Sequence, residues 1–532
     1  MKGVGFLLNV KHRASFSLAI LMFAVCQALA QIYRPPEPYK MWDTWLFKDG
    51  GQYHLFFLQS EPGLTWNTIG HAVSKDLMHW QTLPPIPAKG PPGSWDHGPT
   101  LTGITVKQGD RYWLFYGSVG TGHQQIGAML SRDLMTWEKY SGNPILGSRA
   151  PYYDGGSDWR DLYAHYDRTE KVWHGYICAR APGGAASIAH LTSKDLVDWQ
   201  YLPPVFVSSG EEPAESQPTT NAPKGDQAPT PKGGSSPAME VPGYFELNGR
   251  HYLVFAVGNV QNDTSGRKKS VWGNFYAMSG SRDGPYQLPD RPLLLGSGRN
   301  RVDGVIARTI PWGNTRLLYH HTVAARLGGE VTFGTPKLVR QHADGTLWLE
   351  YWPGLAKLEK RPIWNDLTKV PKNAQIGPGT WKARKGSLTG ASPDETSILW
   401  LPISATDTMT TFALDAVTAR SAGLVWWWDG QRGAAVTLSP AAKTVSVVQV
   451  ARAGSGLPHS IVDDIDGVTL ASGSQHLRIF VRGRRVEVYL NGCWLLNVGL
   501  PDLFAKGRMG LLVEGGAATF GRLRVAELEP MP

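Results

Sequence analysis

Five acidic residues each stand a few positions before an apolar run in the first two thirds of the chain. Asp43 lies inside the segment MWDTW, and the other four are Asp96, Asp161, Glu240 and Asp303. Carboxyl groups that crowd together raise one another's pKa, so one can keep its proton near neutral pH while a neighbour stays ionised. Glycoside hydrolysis needs such an unequal pair, with one carboxyl as proton donor and another as nucleophile or base.

Two of these acids have tryptophan neighbours that suit a sugar. The chain holds 21 tryptophans, and an indole face offers a large apolar surface with a polar edge. We predict that Trp42 and Trp95 wall a sugar pocket, with Asp96 as a further substrate contact. Core packing is the alternative for any single tryptophan. Capping a turn or pairing with an arginine is the alternative for Asp96 and Asp303.

A repeated segment must position these acids. The pattern S-x-D-L-x-x-W recurs roughly every 60 residues, and a period of this size indicates a repeat architecture. The copies are SKDLMHW from Ser74, SRDLMTW from Ser131, SKDLVDW from Ser193 and a degenerate SRDGPYQ from Ser281. We interpret the pattern as a structural turn followed by a packed tryptophan. The long third interval contains residues 208–238, whose Pro, Ser and Gly content predicts a disordered insertion.

A second motif, a tight turn followed by an apolar strand, runs in phase with the first. It occurs five times, as GGQYHLFFL, GDRYWLFYG, EKVWHGYICA, NGRHYLVFAV and GNTRLLYHH. Five such units, each with room for four strands, predict a five-bladed β-propeller over residues 31–360. An array of β-sandwiches is the alternative. The first strand of each blade lines the propeller axis, so acids at matching positions are expected to converge at one end of it.

The remaining chain reads differently. From about Trp364 the repeat ends, and alternating strand-like runs with glycine turns predict a β-sandwich of the jelly-roll or lectin-like kind over residues 361–532. The run LVWWWDG within it could bind sugar. We favour the alternative that these tryptophans pack between the sandwich and the propeller.

The first thirty residues are predicted to be a signal peptide. A basic start precedes the apolar run ASFSLAILMFAV and small residues ending at Ala30. We therefore expect a secreted or periplasmic protein without a membrane span. Cys178 and Cys493 remain after cleavage, too few for a disulfide framework. The net charge of +9 is dispersed, so no nucleic-acid partner is predicted.

Three segments resemble the catalytic motifs of glycoside hydrolase family 32, the invertase, levanase and inulinase family. These segments are MWDTWLFKDGGQYHLFF, WRDLYA and MEVPGYFELNGRHYLVF. Further matching phrases are GHAVSKDLMHW, FGTPKLVRQHADGTLWLEYWPGLAKLEK and HLRIFVRGRRVEVYLNG. The resemblance covers nearly all of the chain after residue 30 and also implies a five-bladed propeller with a C-terminal sandwich.

The resemblance implies a role for each acid. Asp43 would be the nucleophile, Glu240 the general acid and then base, and Asp161 the stabiliser of an oxocarbenium-like transition state. Arg160 would contact the substrate and orient the site. The reaction would retain stereochemistry through a covalent intermediate. The expected substrate is a β-fructofuranoside in an oligo- or polysaccharide. No cofactor or metal motif is predicted, although some relatives hold a calcium ion in the propeller channel.

The sequence departs from the family beside each acid. The family usually has Asn and Pro around its nucleophile, Gln after the first strand pair, Pro after its second Asp, and Cys and Asp in its Glu motif. Here Trp42 and Thr44 flank Asp43, and Leu58 stands in place of the Gln. Leu162 follows Asp161, and Val241 and Gly243 replace the Cys and Asp of the Glu motif. These changes keep two alternatives open. One is an inverting arabinosidase- or xylosidase-type enzyme, as in the related family 43, and the other is a non-catalytic sugar-binding propeller.

Overall fold

A computed structural model describes residues 33–529, except 121, 156–157, 209–236, 263–267, 297–304, 325–329, 366, 373, 416, 453–456 and 501–506. The predicted signal peptide, most of the predicted insertion and Asp303 lie outside the described residues. Across the ranges that are described, no helix has the length and hydropathy needed to cross a bilayer.

The first two repeats form antiparallel sheets in which strands that follow one another pair. The first sheet contains β1 (Lys40–Asp49), β2 (Gln52–Ser60), β3 (Thr68–Ser74) and β4 (Gln81–Pro87). The second contains β5 (Thr100–Gln108), β6 (Arg111–Ser118) and β7 (Gln125–Ser131), with β8 (Glu138–Lys139) and β9 (Leu146–Gly147) both pairing with β7.

The next two sheets repeat this order. The third sheet contains β10 (Trp159–Asp167), β11 (Val172–Arg180), β12 (Ala186–Ser193) and β13 (Trp199–Val207). The fourth contains β14 (Glu240–Leu247), β15 (Arg250–Asn262), β16 (Lys268–Ser279) and β17 (Leu293–Gly296).

The rest of the chain is one continuous hydrogen-bonded sheet of 18 strands. Its opening strands are β18 (Val305–Trp312), β19 (Thr315–Ala324), β20 (Glu330–Phe333), β21 (Lys337–Gln341) and β22 (Leu347–Tyr351), followed by a 3-10 helix (Pro353–Leu358). After them come β23 (Glu359–Trp364), β24 (Gln375–Ile376), β25 (Thr380–Arg384), β26 (Ser387–Ala405), β27 (Thr408–Asp415), β28 (Ser421–Trp428) and β29 (Arg432–Ser439). The last are β30 (Thr444–Ala451), β31 (His459–Asp466), β32 (Gln475–Arg482), β33 (Arg485–Leu490), β34 (Cys493–Gly499) and β35 (Gly507–Leu528).

The first strands of the repeats meet around a common centre. β1 contacts β5, β5 contacts β10, β10 contacts β14, β14 contacts β18, and β18 contacts β1. This closed series gives an all-β, propeller-like arrangement, as the repeat predicted.

The turn chemistry in the sequence explains the hairpins. Asn248 and Gly249 join β14 to β15 with φ of 49° and 75°. A two-residue type I′ turn needs positive φ at both positions, and an Asn-Gly pair adopts it at little steric cost. The strands on either side therefore pair in the register that the alternation of the sequence predicts.

The S-x-D-L-x-x-W element is the structural turn that we predicted. The Ser74 hydroxyl accepts from the backbone N–H of Leu77 at 2.9 Å, and Leu77 has φ of 66°. The Trp80 indole N–H donates to the Leu77 carbonyl at 3.1 Å. The same bonds recur in the second and third repeats, around Leu134 and Leu196. Each turn thus fixes a tryptophan between the third and fourth strands of its sheet.

The three consecutive tryptophans of β28 contradict our prediction. Trp426, Trp427 and Trp428 are all buried in a cluster formed only by residues of the C-terminal part, from Leu367 to Val525. They do not pack between that part and the propeller-like part. β28 bulges between Val425 and Trp428 and is covered on both faces, so side chains of both orientations reach the interior.

A different set of residues joins the two parts of the chain. A second apolar cluster combines Leu46 and Phe57 from the first sheet with Phe480 and Tyr489 from the C-terminal strands. Beside it, Lys337 of β21 and Glu487 of β33 form a buried ion pair at 3.1 Å. The C-terminal strands therefore support the first and last repeats directly.

Candidate active site

Each of the five central strands is interrupted by a β-bulge. The register shifts fall between Trp42 and Thr44, Leu101 and Ile104, Arg160 and Tyr163, Glu240 and Gly243, and Val305 and Ala307. A bulge leaves a residue unpaired and re-aims its side chain. Asp43 and Asp161 are bulged residues, and Glu240 is the last paired residue before a bulge. The bulges therefore decide where the acids point.

The backbone at three of these bulges is strained. Asp161, Val241 and Ile306 have φ of 65°, 48° and 54°. A residue with a side chain seldom adopts positive φ, least of all a β-branched one. Such conformations persist where the surrounding structure holds them, and they concentrate at functional sites.

Asp43 is a buried member of the acidic cluster. Burial raises its pKa to about 8, and the negative charges of Asp161 and Glu240 add to this effect. The Thr102 hydroxyl donates to Oδ2, whereas Oδ1 has no hydrogen-bond partner in the described part of the chain. Asp43, Asp161 and Glu240 belong to three different sheets, yet they lie close enough for the charges of Asp161 and Glu240 to raise the pKa of Asp43.

Asp161 is held by its own neighbours. Burial raises its pKa to about 6, while the positive charge of Arg160 and the backbone N–H of Val241 act in the opposite direction. That N–H donates to Asp161 Oδ2 at 3.0 Å. Because Val241 directly follows Glu240, this bond fixes the position of the third sheet relative to the Glu240 backbone.

Arg160 connects the acids. Its Nη2 donates to Glu240 Oε1 at 2.8 Å, and its Nε lies 3.5 Å from Asp161 Oδ2. Nη1 donates to the carboxylate of Asp158 and, at 3.2 Å, to Oε1 of Gln124. The Arg160 guanidinium thus contacts the carboxylates of Asp158, Asp161 and Glu240 at once. Because a guanidinium is planar and its donors point in fixed directions, these contacts orient the carboxylates.

Arg308 is a part of this site that the sequence analysis missed. It is completely buried in β18 and donates to the carbonyls of Gly103 at 2.8 Å, Asp161 at 3.0 Å and Pro242 at 3.1 Å. These carbonyls belong to the bulges of the second, third and fourth sheets. Its positive charge also lowers the pKa values of Asp43 and Asp161. A single charged residue inside the apolar run VIARTI was the available signal.

Comparison with known proteins agrees with this geometry. The model of the N-terminal domain of glycosyl hydrolases family 32 matches residues 44–281, which include Asp161 and Glu240 and begin directly after Asp43. Residues 44–281 of this chain are therefore similar to glycosyl hydrolase family 32. The resemblance seen in the motifs is therefore confirmed.

Curated relatives resemble this chain over only part of their own length. Over 165 residues the chain is 34% identical to sucrose:sucrose 1-fructosyltransferase of Festuca arundinacea, covering 29% of this chain and 25% of that protein. Over 160 residues it is 32% identical to levanase of Bacillus subtilis, covering 28% and 22%. The chain thus spans a quarter or less of the length of these two relatives.

Solved family 32 structures share the fold over nearly the whole chain. A β-fructofuranosidase of Bombyx mori superposes with a TM-score of 0.66 at 16% identity, covering 95% of this chain and 93% of that chain. An exo-inulinase of Aspergillus awamori gives a TM-score of 0.65 at 17% identity, covering 94% and 98%. At this identity the likeness concerns the fold alone.

One departure from the family 32 motifs is explained by Arg308. A side chain at Gly243, where the family usually has Asp, would place its Cβ 3.2 Å from Cγ of Arg308. That distance is tighter than ordinary packing allows without movement. The small residue and the buried guanidinium therefore belong together.

A second departure changes the wall beside Asp43. Trp42 packs against Trp66 with ring centroids 6.2 Å apart and against His321 at 5.0 Å. Burial lowers the pKa of His321 to about 3, so its ring is neutral. Neither ring nitrogen of His321 has a hydrogen-bond partner within the described ranges. This wall is aromatic at a place where the family usually has a polar amide.

Trp95 and Asp96 are not brought to the three acids. Asp96 precedes β5 and binds the Tyr116 hydroxyl at 2.8 Å and Lys139 Nζ at 2.6 Å. Trp95 packs on the same Tyr116 ring at 5.3 Å. The interpretation of Asp96 as the counterpart of Asp43 is wrong, because Thr102 occupies the bulge of the second sheet. Substrate contact by Trp95 and Asp96 stays a prediction.

A cavity of about 210 Å³ adjoins the site on the side of Arg160. Gln124 and Trp159 line it, and both also contribute to the surroundings of Arg160, since Gln124 Oε1 accepts from the Trp159 backbone N–H at 2.8 Å.

Proposed function

We propose that this protein hydrolyses β-fructofuranosides in oligo- or polysaccharides with retention of configuration. The observation that carries the proposal is the meeting of Asp43, Asp161 and Glu240 from three central strands, with Asp161 and Glu240 both beside Arg160. Two closely placed carboxyls of unequal protonation suit glycoside hydrolysis. The names of the relatives, which include an invertase and a levanase, support this substrate class.

The exposure of the acids supports the division of roles. The Glu240 side chain is 29% exposed, whereas Asp43 and Asp161 are buried. A general acid must reach the departing group, which leaves toward solvent, so we assign this role to Glu240. Asp43 is the nucleophile below the anomeric carbon, and Asp161 binds sugar hydroxyls as positive charge develops on the ring.

The reaction then proceeds in two balanced steps. An Asp43 oxygen forms a bond to the anomeric carbon while the glycosidic bond breaks and Glu240 gives its proton to the departing oxygen. Glu240 next takes a proton from water, whose oxygen attacks the anomeric carbon and releases Asp43. Each carboxyl returns to its starting protonation state.

The charges of the site set where the proton resides. Three carboxyls share the site with two guanidinium groups, those of Arg160 and Arg308, so electroneutrality leaves one proton on the carboxyls. Burial favours that proton on Asp43 in the unliganded protein, whereas the first step requires it on Glu240. Because Asp43 and Asp161 interact, their protonation is coupled, and the reactive form is one of the singly protonated arrangements of the site.

A proton on Asp43 would also suit a second function, the binding of a sugar without catalysis. A protonated Asp43 cannot attack, and the aromatic wall of Trp42 and His321 replaces polar groups that would hold a sugar. These features suit a sugar-binding propeller without catalysis. An inverting enzyme of the arabinosidase type remains the alternative within catalysis.

A substrate panel with matched variants tests the proposal. Sucrose, inulin, levan and aryl furanosides are incubated with the wild type, Asp43→Asn, Glu240→Gln and the control Asp49→Asn, which changes a half-buried carboxylate at the other end of the same strand. We expect hydrolysis by the wild type and the control only, with NMR of the first product showing retention. Absence of hydrolysis with unchanged sugar binding would establish the binding function, and inversion would establish the alternative enzyme.

We further propose the complete architecture. Strands β18–β22 form the fifth blade, since β18 contacts both β14 and β1 and carries a bulge like the other central strands. The strands after residue 361 form the C-terminal β-sandwich, supported by their separate apolar core. The propeller domain then occupies residues 31–360. Limited proteolysis with mass spectrometry of the fragments tests this boundary.

We also propose that the protein is exported. The leader sequence of residues 1–30 supports cleavage after Ala30. Sequencing of the N-terminus of protein recovered from the periplasm or the culture medium tests this: a start at Gln31 supports export, and retention of residue 1 in the cytoplasm contradicts it.

A further inference from the structure

Three potential metal ligands meet between the third and fourth sheets. His174 lies in β11, His190 in β12, and Asp283 in the turn after β16. One ligand atom of each lies within 4.8 Å of the others. The distance from His174 Nδ1 to His190 Nε2 is 3.0 Å, and the distance from His190 Nε2 to Asp283 Oδ1 is 4.0 Å. None of these residues belongs to the active site.

The surroundings of His174 and His190 suit the binding of a metal ion by their ring nitrogens. Both imidazoles are buried. The ring of Tyr176 stacks on His190 at 5.4 Å with an interplanar angle of 6°. Glu170 Oε2 lies 3.4 Å from His174 Nε2, the nitrogen that faces away from His190. His174 Nε2 has no hydrogen-bond partner among the described residues, so Glu170 is near enough to accept from it after a small movement, as carboxylates commonly do beside metal-binding histidines.

The local charge suits a divalent cation. Asp167, Glu170 and Asp283 surround one guanidinium, that of Arg282, which pairs with Asp167 and Glu170 and lies 3.7 Å from Asp283. Two negative charges in this group of four residues therefore remain uncompensated. Asp283 is largely exposed, so an ion and a water molecule can reach its carboxylate.

The first repeat provides an internal comparison. His54 Nδ1 and His71 Nε2 are also 3.0 Å apart, with ring centroids at 5.2 Å against 5.3 Å for His174 and His190. No third ligand completes that pair among the residues that the structure describes. A buried histidine pair is thus part of the packing of both sheets. The pair of His174 and His190 differs from the pair of His54 and His71 because the carboxylate of Asp283 lies beside it as a third potential ligand.

We propose that His174, His190 and Asp283 bind a divalent transition ion of the zinc class. The donors would be His174 Nδ1, His190 Nε2 and Asp283 Oδ1, with water completing the four-coordinate shell that zinc prefers. Since two ligands belong to the third sheet and one to the fourth, the ion clamps the two sheets together. The site is independent of the proposed hydrolysis.

Zinc titration of the full chain tests the site. The protein, without a polyhistidine tag and freed of metal with a chelator, is titrated with ZnCl₂ by calorimetry. We expect a single saturable ion per chain. His190→Gln and Asp283→Asn should weaken binding by at least roughly 10- to 100-fold, the loss typical even of outer-shell changes. The matched control His71→Gln, which disrupts the pair without a carboxylate, should bind as the wild type does.

Two further measurements make the result decisive. Co²⁺ in place of Zn²⁺ should give visible absorption of tetrahedral type in the wild type and in His71→Gln, but not in Asp283→Asn. Saturating zinc should raise the Tm of the wild type and leave that of Asp283→Asn unchanged. Because Asp283 is exposed, circular dichroism should show this variant folded. Absence of saturable binding by the wild type, or zinc binding by Asp283→Asn and His190→Gln as tight as that of the wild type, would overturn the proposal.

Discussion

Arg160 Nη2 lies 2.8 Å from Oε1 of Glu240, although the two residues belong to different sheets and are eighty positions apart. This hydrogen bond orients the carboxyl that we assign as proton donor. The same guanidinium lies beside Asp161. One side chain thus supports two of the three acids, and the first prediction tests this support.

Replacement of Arg160 by lysine should lower kcat far more than it raises KM. Lysine keeps the charge but cannot maintain several directed hydrogen bonds at once. We expect a loss of about 100-fold in kcat, comparable to that from misplacing a catalytic group by about 1 Å. Steady-state kinetics on the best substrate of the panel measures it. Arg132→Lys, in an exposed ion pair with Asp110, is the control, and equal effects of both changes would contradict the role of Arg160.

The pH profile of kcat/KM should be bell-shaped. Asp161 has a pKa of about 6 and Asp43 of about 8, both raised by burial. Below pH 6 the site gains a second proton and loses its stabilising carboxylate, and above pH 8 it loses the proton that the first step needs. Activity should therefore be highest between these limits. Initial rates across the range from pH 4 to 10 test this, and a profile that is flat throughout would refute it.

Asp43→Asn should stabilise the protein increasingly as pH rises. The folded pKa of Asp43 lies above its unfolded value of 3.8, so folding favours the protonated form. The favourable contribution is complete below about pH 4 and is lost as pH rises toward 8. The variant avoids this loss and should gain on the order of a few kcal/mol relative to the wild type at high pH.

Urea unfolding of both proteins at pH 5 and at pH 9 measures this difference. The gap in free energy of unfolding should be larger at pH 9. Asp49→Asn, at the other end of the same strand, should show no such trend. A gap that does not depend on pH would show that Asp43 is ionised in the folded protein.

Arg308→Met should destabilise the whole propeller-like part. The buried guanidinium bonds carbonyls in three sheets, and its loss leaves them without donors. Removing one partner from a buried charged network costs about 3–5 kcal/mol. Arg361→Met, on an exposed residue of β23, is the control. Urea unfolding of the two variants should differ by this amount, and similar stability would exclude a central role for Arg308.

The same variant should also shift the pH profile. Arg308 lowers the pKa values of Asp43 and Asp161, so its removal should move both limbs to higher pH. Activity of the folded fraction across pH shows this shift, which a purely structural role would not produce.

The local patterns predicted much of the fold. The turn-and-strand motif and the S-x-D-L-x-x-W element depend on contacts between residues close in sequence, such as the bond from Trp80 to the Leu77 carbonyl. Their repetition therefore indicated a propeller-like arrangement. The place of the three tryptophans in β28 was predicted wrongly, because the surface that covers a strand comes from distant parts of the chain.

The sequence by itself predicted which carboxyl groups come together in this chain. Motif spacing pointed to five acids, and the resemblance of their local segments to family 32 motifs singled out Asp43, Asp161 and Glu240. Only the tertiary structure decided that Thr102 replaces an acid in the second sheet, that Arg308 joins three bulges, and that Asp283 completes a cluster with two histidines. These relationships depend on register shifts and on packing between sheets, which bring together side chains that no spacing along the chain relates.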